Sequence, residues 1–329
     1  MADSGISSTP GFGEPAHFFT AETDGIPNYS FEVAAGRWIV LMMFGSLSSP
    51  ASAQAHAEAM RRSRLFDGAN ASFFGVSVDS ADRFERGLSN AGGVRYFWDF
   101  DRAVSRQWGL IQGEYLRPHL FLIDRSFRVV ESGPIEAIGE VLDRLETRLA
   151  QEAAQAEPAY APVLTLADVF EPEFCAELVA HFEAVGGVAS GFAQDVGGRT
   201  ADLIDPRLKR RTDVFVKDPA IVAGLRSRLK GRLIPMVKRA FGWRATEIER
   251  DLICRYDASD EGFFSAHRDD VTAGSAHRKF AVTVNLNAGY EGGALRFPEF
   301  GRRTYAPPAG GATVFCCSLL LFAALCCTR

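Results

Sequence analysis

No cysteine precedes Cys175 in this chain of 329 residues, so its first half has no thiol for a disulfide or for sulfur redox chemistry. The six cysteines that follow include the adjacent pairs Cys316/Cys317 and Cys326/Cys327, a spacing that suits neither a structural zinc nor a disulfide framework. An excess of positive charge is also missing. With 36 Lys and Arg against 41 Asp and Glu the formal charge is -5, so no basic field is available to condense on phosphates, and a nucleic-acid role is not expected. Arg61, Arg62 and Arg64, like Lys209 to Arg211, read as solvated faces. No apolar run is long enough to span a bilayer: Ala312 to Cys327 is uncharged but falls short of the roughly 20 residues required, and reads as a core strand running into a tail. Cys326-Cys327-Thr328-Arg329 is a poor prenylation signal, because its middle positions are not aliphatic. Met1 to Phe12 has neither the apolar core of a secretory signal nor the basic amphipathic pattern of a transit peptide, which makes a cytoplasmic location the expectation.

What is present is a globular composition, 47% hydrophobic and 23% charged, long enough for two cores of roughly 100 to 200 residues each. Residues 13–150 alternate strand and helix patterns. Trp38 to Phe44 is a buried-strand run, Ser72 to Val78 a second strand, Asp79 the N-cap of a helix over Ala81 to Asn90, and His119 to Asp124 a third strand that pairs with Phe127 to Glu131. After Pro134, Ile135, Ile138, Leu142, Leu145 and Leu149 recur at helical spacing. Residues 151–162, rich in Ala, Gln, Glu and Pro, read as a linker.

From 163 to 329 helices come first, over Pro172 to Val185 and Pro219 to Phe241. Short strands follow at Arg250–Tyr256, Phe263–His267, Lys279–Leu286, Ala294–Pro298 and Ala312–Ser318. The expected class is therefore an α/β/α unit followed by an α+β unit with a sandwich or barrel core.

His-x-acid occurs at His56/Glu58, His181/Glu183 and His267/Asp269. The first two lie in helical patterns, where residues two apart diverge. Only the third lies on a strand pattern, where an imidazole and a carboxylate two residues apart can reach one metal. Around it stand, in order, Arg255-Tyr256, Gly262-Phe263-Phe264, Val282-x-Val284-x-Leu286-Asn287 and Tyr290-Glu291-Gly292-Gly293-x-Leu295-x-Phe297-Pro298. From about Val163 to Ser318 this ordered set resembles the prolyl 4-hydroxylase type of iron(II)- and 2-oxoglutarate-dependent dioxygenases. The resemblance implies a double-stranded β-helix, or jelly roll. It further implies His267 and Asp269 as metal ligands, 2-oxoglutarate as co-substrate, ascorbate as the reductant that rescues iron, and hydroxylation of a peptidyl or small-molecule substrate. Tyr256 matches a tyrosine that contacts the co-substrate, and a buried structural tyrosine is the alternative reading.

The same resemblance requires a distal histidine and, some ten residues on, a basic residue for the far carboxylate of 2-oxoglutarate. Leu321 occupies the histidine position, and the sequence runs only eight residues further. His277 comes too early for that role. The change of character after Leu320 suggests a frameshift that replaces the last strands with an unrelated tail and leaves the jelly roll truncated, with an unpaired sheet edge.

In the first half, Phe44-Gly45-x-x-Ser48-Ser49-Pro50-x-Ser52 and Arg117-Pro118-x-Leu120-Phe121-Leu122-Ile123-Asp124 resemble the thioredoxin-fold peroxiredoxins. Those enzymes place a low-pKa thiolate where this chain has Ser52, and a hydroxyl cannot form the sulfenic acid that peroxide reduction needs. Arg117 matches the family's arginine. A Ser52 hydrolase would need a base, for which His56 and His119 are the neighbours in sequence. The expectation is an oxygenase with the thioredoxin-like unit as a docking module for a protein partner or substrate; the rival is a two-unit binding protein without catalysis.

Overall fold

The computed structural model describes residues 9–154, 159–196 and 199–323, and the chain divides into two compact units, the first running to Ala159 and including Pro298–Gly301, the second comprising Tyr160–Phe297 and the residues from Arg302. The first unit begins with the hairpin β1 (Thr20–Thr23) and β2 (Ile26–Ser30), then β3 (Trp38–Gly45), α1 (Pro50–Arg61) and β4 (Ala71–Ser77). It continues with α2 (Ser80–Phe84), β5 (Val94–Trp98), α3 (Ala103–Gln107), the short pair β6 (Ile111–Gln112) and β7 (Tyr115–Leu116), β8 (His119–Ile123), β9 (Val129–Gly133) and α4 (Ile138–Ala154).

Seven of these strands form one sheet in the order β2-β1-β5-β4-β3-β8-β9, parallel at β3/β4 and β4/β5 and antiparallel at β3/β8 and β8/β9. All eight residues of β3 are buried, which is why its sequence is a continuous apolar run and not an alternation. Trp38, Val40, Met42 and Phe44 share a core with Ala55 and Ala59 of α1 and with Ile138, Val141, Leu142 and Leu145 of α4. On the opposite face Leu41 pairs with Phe121, whose ring meets Trp108 edge-on at 4.8 Å.

The sequence reading does not anticipate the β1–β2 hairpin or β5. It also makes α2 too long: Asp79 caps it by accepting from the Ala81 N–H at 2.9 Å, but the helix ends at Phe84, and Gly87 soon follows at φ +65°. α4 runs to Ala154, into the expected linker 151–162, because Glu152 on it accepts from the Trp38 indole at 2.8 Å and from Arg125 at 2.9 Å. Residues 155–158 of that linker lie outside the described residues.

The second unit comprises β10 (Leu164–Leu166), α5 (Pro172–Val185), β11 (Val188–Ala189), β12 (Phe192–Val196), β13 (Arg199–Leu203), β14 (Lys209–Arg210) and β15 (Thr212–Phe215). α6 (Pro219–Arg228) then passes through a π segment, Leu229–Leu233, into α7 (Ile234–Phe241). β16 (Leu252–Arg255), β17 (Phe263–His267), β18 (Phe280–Val284), β19 (Leu295–Arg296), β20 (Thr304–Tyr305), β21 (Ala312–Cys316) and β22 (Leu321–Ala323) complete it.

Its strands form several sheets, among them β14-β17-β22-β19-β20 and β10-β21-β18. The last six strands pair antiparallel as a nest: β19 with β20, β18 with β21, and β17 with β22. The middle pair belongs to one sheet and the other two pairs to the second. Phe170, Phe174, Leu178 and Phe182, from α5 and the segment before it, are buried in one core with Val214, Ile253 and Val314. Leu321–Ala323, after the expected change of character at Leu320, is a strand held between β17 and β19. Residues 324–329, with Cys326 and Cys327, lie outside the described residues. Among the described residues no helix is long and apolar enough to cross a membrane.

Leu142 is fully buried between sheet and helix, so Leu142→Ala should destabilise the first unit by about 2–5 kcal/mol in denaturant unfolding. A loss below about 1 kcal/mol would contradict this assignment of the core.

Candidate functional site

His267 is the last residue of β17, and Asp269 sits in the bend that follows. The Asp269 N–H donates to the Cys317 carbonyl at 2.9 Å, which fixes that bend. The two side chains converge, with His267 Nε2 3.5 Å from Asp269 Oδ1. His267 Nδ1 lies 2.7 Å from the Ser265 carbonyl. A carbonyl only accepts, so Nδ1 carries a proton, while Nε2 faces the Asp269 carboxylate. Burial works to raise the Asp269 carboxyl, but the hydrogen bond and charge of His267, with Arg278 and Arg211, hold it below the usual carboxylate range.

The residue opposite His267 is set by the strand pairing. In the β17–β22 ladder His267 pairs with Leu321 and Phe264 with Ala323, three residues on one strand against two on the other. This bulge brings Phe264 to the same side as His267, where the rings stack at 3.5 Å. Leu321 projects to that side too, because directly opposed residues of an antiparallel pair share a face. It is 7% exposed and has no donor atom. Among the described residues no group of three or more His, Cys, Asp or Glu side chains is placed to hold a metal ion.

Around the pair lies a charged cluster that the sequence reading misassigns. Lys209 is 6% exposed, and the Arg211 side chain is only 16% exposed, so neither is the solvated face expected of Lys209 to Arg211. They are spaced two apart along extended chain and turn inward together. Arg211 is clamped by Asp213, with Nε donating to Oδ1 at 2.7 Å and Nη2 to Oδ2 at 2.8 Å. Its guanidinium also lies 5.8 Å from the centre of the Tyr256 ring. Burial pushes the Tyr256 phenol up to about 12 against the opposing pull of Arg211, so the tyrosine stays protonated. Cys254, two residues before Tyr256 and paired with Asp213 in the ladder, is exposed. Lys209, Arg211, Asp213 and Cys254 could have been found only from the alternation Lys209-x-Arg211-x-Asp213 and Cys254-x-Tyr256, a period-two signal without hydrophobic content.

His277 is not part of this group: its Nε2 stands 3.4 Å from Glu249 and the side chain is 66% exposed. Cys317 is buried, with its thiol pushed up to about 12 by burial and then by Asp269, while Cys316 is half-buried. His56/Glu58 and His181/Glu183 lie on α1 and α5.

In the first unit Ser52 is fully buried on α1 and its hydroxyl donates to the Phe44 carbonyl at 2.8 Å. His56 does not serve it, because Nε2 is engaged with the Tyr96 hydroxyl at 2.7 Å. Arg117 is exposed and reaches the Thr9 hydroxyl at 3.3 Å. The chain before α1 is held by Asp82, which is fully buried and accepts from the Leu47 N–H at 3.2 Å, the Ser77 hydroxyl at 2.6 Å and Arg86 at 2.8 Å. No Ser-His dyad forms from these residues.

Residues 12–132 match the AhpC/TSA family. The first unit is peroxiredoxin-like, and its sheet order is that of a thioredoxin-like fold. Among solved structures, peroxidoxin BcpB from Mycobacterium tuberculosis is 16% identical over 45% of this chain and 99% of its own, with a TM-score of 0.36. The bacterioferritin comigratory protein of Xanthomonas campestris is 20% identical over 40% of this chain and 92% of its own, at 0.33. The thiol peroxidase from Chromobacterium violaceum is 19% identical over 46% and 91%, at 0.36. No curated protein matches the chain.

Burial lowers the pKa of His56, and it lowers that of His119 to about 4, helped by the charge of Arg117. An unfolded histidine titrates near 6.5, so between about 6.5 and 4 the unfolded chain binds more protons and the first unit loses stability as pH falls. Denaturant unfolding at pH 7 and pH 5 should register this loss in the wild type and a smaller one in His119→Gln. Equal losses in the two proteins would remove His119 from the account.

Proposed function

We propose that the second unit is of the iron(II)- and 2-oxoglutarate-dependent dioxygenase type, prolyl 4-hydroxylase-like, with a peptidyl or small-molecule substrate, and that the peroxiredoxin-like unit serves as a docking module. The observation that carries this reading is the convergence of His267 and Asp269 at the end of β17, with the Nδ1 proton committed to Ser265 and Nε2 toward the carboxylate. The nested pairs β19/β20, β18/β21 and β17/β22, divided between two sheets, support a jelly-roll architecture for this unit. Tyr256, kept protonated and set against Arg211, is suited to donating a hydrogen bond to a bound carboxylate. Ascorbate enters only as the reductant such chemistry calls for.

The donor set does not fit a complete iron centre. Two side chains can bind, and the face position opposite His267 is a hydrocarbon. No catalytic step is therefore derived through the metal. The same observation favours a second reading, in which the unit binds its ligand without turning it over. For the first unit, Ser52 in place of a thiol rules out sulfenic-acid chemistry, so its contribution is to binding.

Purified protein supplied with iron(II), ascorbate and 2-oxoglutarate distinguishes the two readings. Succinate release above background that disappears in His267→Ala would establish turnover; its absence under saturating iron would leave the binding reading. A separate measurement addresses the vacant donor position: Leu321→His should raise cobalt(II) or iron(II) affinity by at least about tenfold over wild type, since even outer partners of metal ligands act on that scale. An unchanged affinity would mean that residue 321 does not face the His267/Asp269 pair.

A further inference from the structure

β18 is an edge strand. It pairs with β21 alone, in a register that runs from Phe280↔Cys316 to Val284↔Ala312. The Cys317 N–H donates to the Lys279 carbonyl and the Asn285 N–H to the Gly311 carbonyl, so the hydrogen-bonded pairs of this ladder fall on the odd-numbered residues from Lys279 to Asn285. The N–H and C=O groups of Phe280, Val282 and Val284 therefore point away from β21, and among the described residues no strand receives them. The same three residues turn their side chains to the core, where Phe280 and Val284 pack against the cluster that includes Val214, Ile253 and Val314. Val282 lies between them, opposite the fully buried Val314, yet is 42% exposed. The inward row is covered at its ends and open at its middle.

A second free edge borders the same core. β16 ends the sheet β11-β15-β16, and because the Val216 N–H donates to the Asp251 carbonyl at 2.9 Å, the backbone groups of Leu252 and Cys254 are the ones that point outward. Ile253 of this strand lies in the core shared with Val314. The two strands are tied where they start, since Glu249 holds Arg278 by two contacts of 2.7 Å. Neighbouring strands lie about 4.8 Å apart, and an arginine joined to a glutamate spans about two such spacings, which is room for one strand between β16 and β18. Edges of natural sheets are blunted by lysine, proline or a bulge, and Phe280-Ala281-Val282-Thr283-Val284 carries none of them.

We infer that the edge of β18 takes up an extended segment of a partner polypeptide by backbone hydrogen bonding, with apolar side chains at alternate positions of the segment to cover Val282. The alternation follows from the sheet: the residue opposite Val282 and its neighbours two away face the core, and those between them lie beside Ala281 and Thr283 on the other face. A second copy of this chain does not meet the requirement through its own β18, which brings β21 with it and is wider than a gap for one strand. The interaction uses neither His267, Asp269 nor a metal, so it stands or falls apart from the function proposed above.

A fluorescent peptide with the sequence of Arg278 to Leu286 serves as the probe, because antiparallel pairing places its Val282 against Val282 of the protein and its Arg278 and Lys279 against Leu286 and Asn285, so no like charges meet. Anisotropy titration against the full-length chain should show saturable binding. Val282→Pro in the peptide, which removes one N–H and leaves the protein untouched, should weaken it at least about tenfold, as should Val282→Lys in the protein. Hydrogen exchange should find the amides of Phe280, Val282 and Val284 faster than those of Ala281 and Thr283 in the free chain, and at least about tenfold slower once peptide is bound. No binding, equal binding of the proline peptide, or binding that leaves the three amides unprotected overturns the proposal. So does protection already present in the free chain: if it grows with protein concentration a second copy covers the edge, and if it does not the chain covers the edge itself.

Discussion

A single bulge in β17, where Phe264 pairs with Ala323 and His267 with Leu321, brings together side chains that strict alternation would have divided between two faces. Everything chemical in the second unit depends on it. Without the extra residue, Phe264 and His267 would point to opposite sides, and Lys209, tied to Phe264 through the neighbouring strand, would lie away from the imidazole. The ladder fixes the deficit as firmly as it fixes the site. Leu321 faces His267 because the pairing leaves it no other side to face, and no rotamer of a leucine supplies a donor atom.

Charge burial sets the second constraint. Asp213 satisfies Arg211 and accepts from Ser190 as well, and Glu249 satisfies Arg278, so these charges support the site without being available to a ligand. Asp269 faces His267, and the Lys209 ammonium donates to the Gly191 carbonyl beside the Phe264 ring. The first unit has no comparable polarity: Ser52, His56 and Asp82 all spend their hydrogen bonds on the protein.

The strand and helix pattern of the first half was legible wherever burial was one-sided or complete, as with the unbroken apolar run of β3 and the helical spacing of Ile138, Leu142 and Leu145. β5 was not, because Val94-Arg95-Tyr96-Phe97-Trp98 follows a loop that resembles the continuation of a helix until Gly87 interrupts it. In the second half the strand Phe263–His267 was legible from its pattern. The burial of Lys209 was hidden: three consecutive basic residues look like solvent-exposed surface, and pairing between β14 and β17, which are far apart in sequence, turns Lys209 inward, with Arg211 two residues on. The continuation of order through Ala323 was hidden for the same reason: Leu321–Ala323 owes its strand to β17 and β19, not to its own composition.

In both units the residue at the expected reactive position is accommodated without an unsatisfied group. Ser52 finds a carbonyl acceptor inside α1's buried face, and Leu321 presents hydrocarbon to a face already occupied by Ala323 and Leu295. Replacing a polar or reactive side chain by one that leaves no orphaned partner costs little stability. Ser52 and Leu321 therefore give the fold no reason to collapse. The two surroundings differ in charge: the hydrogen bonds of Ser52, His56 and Asp82 close on the protein, whereas buried Lys209 and Asp213 and the clamped Arg211 stand near Asp269.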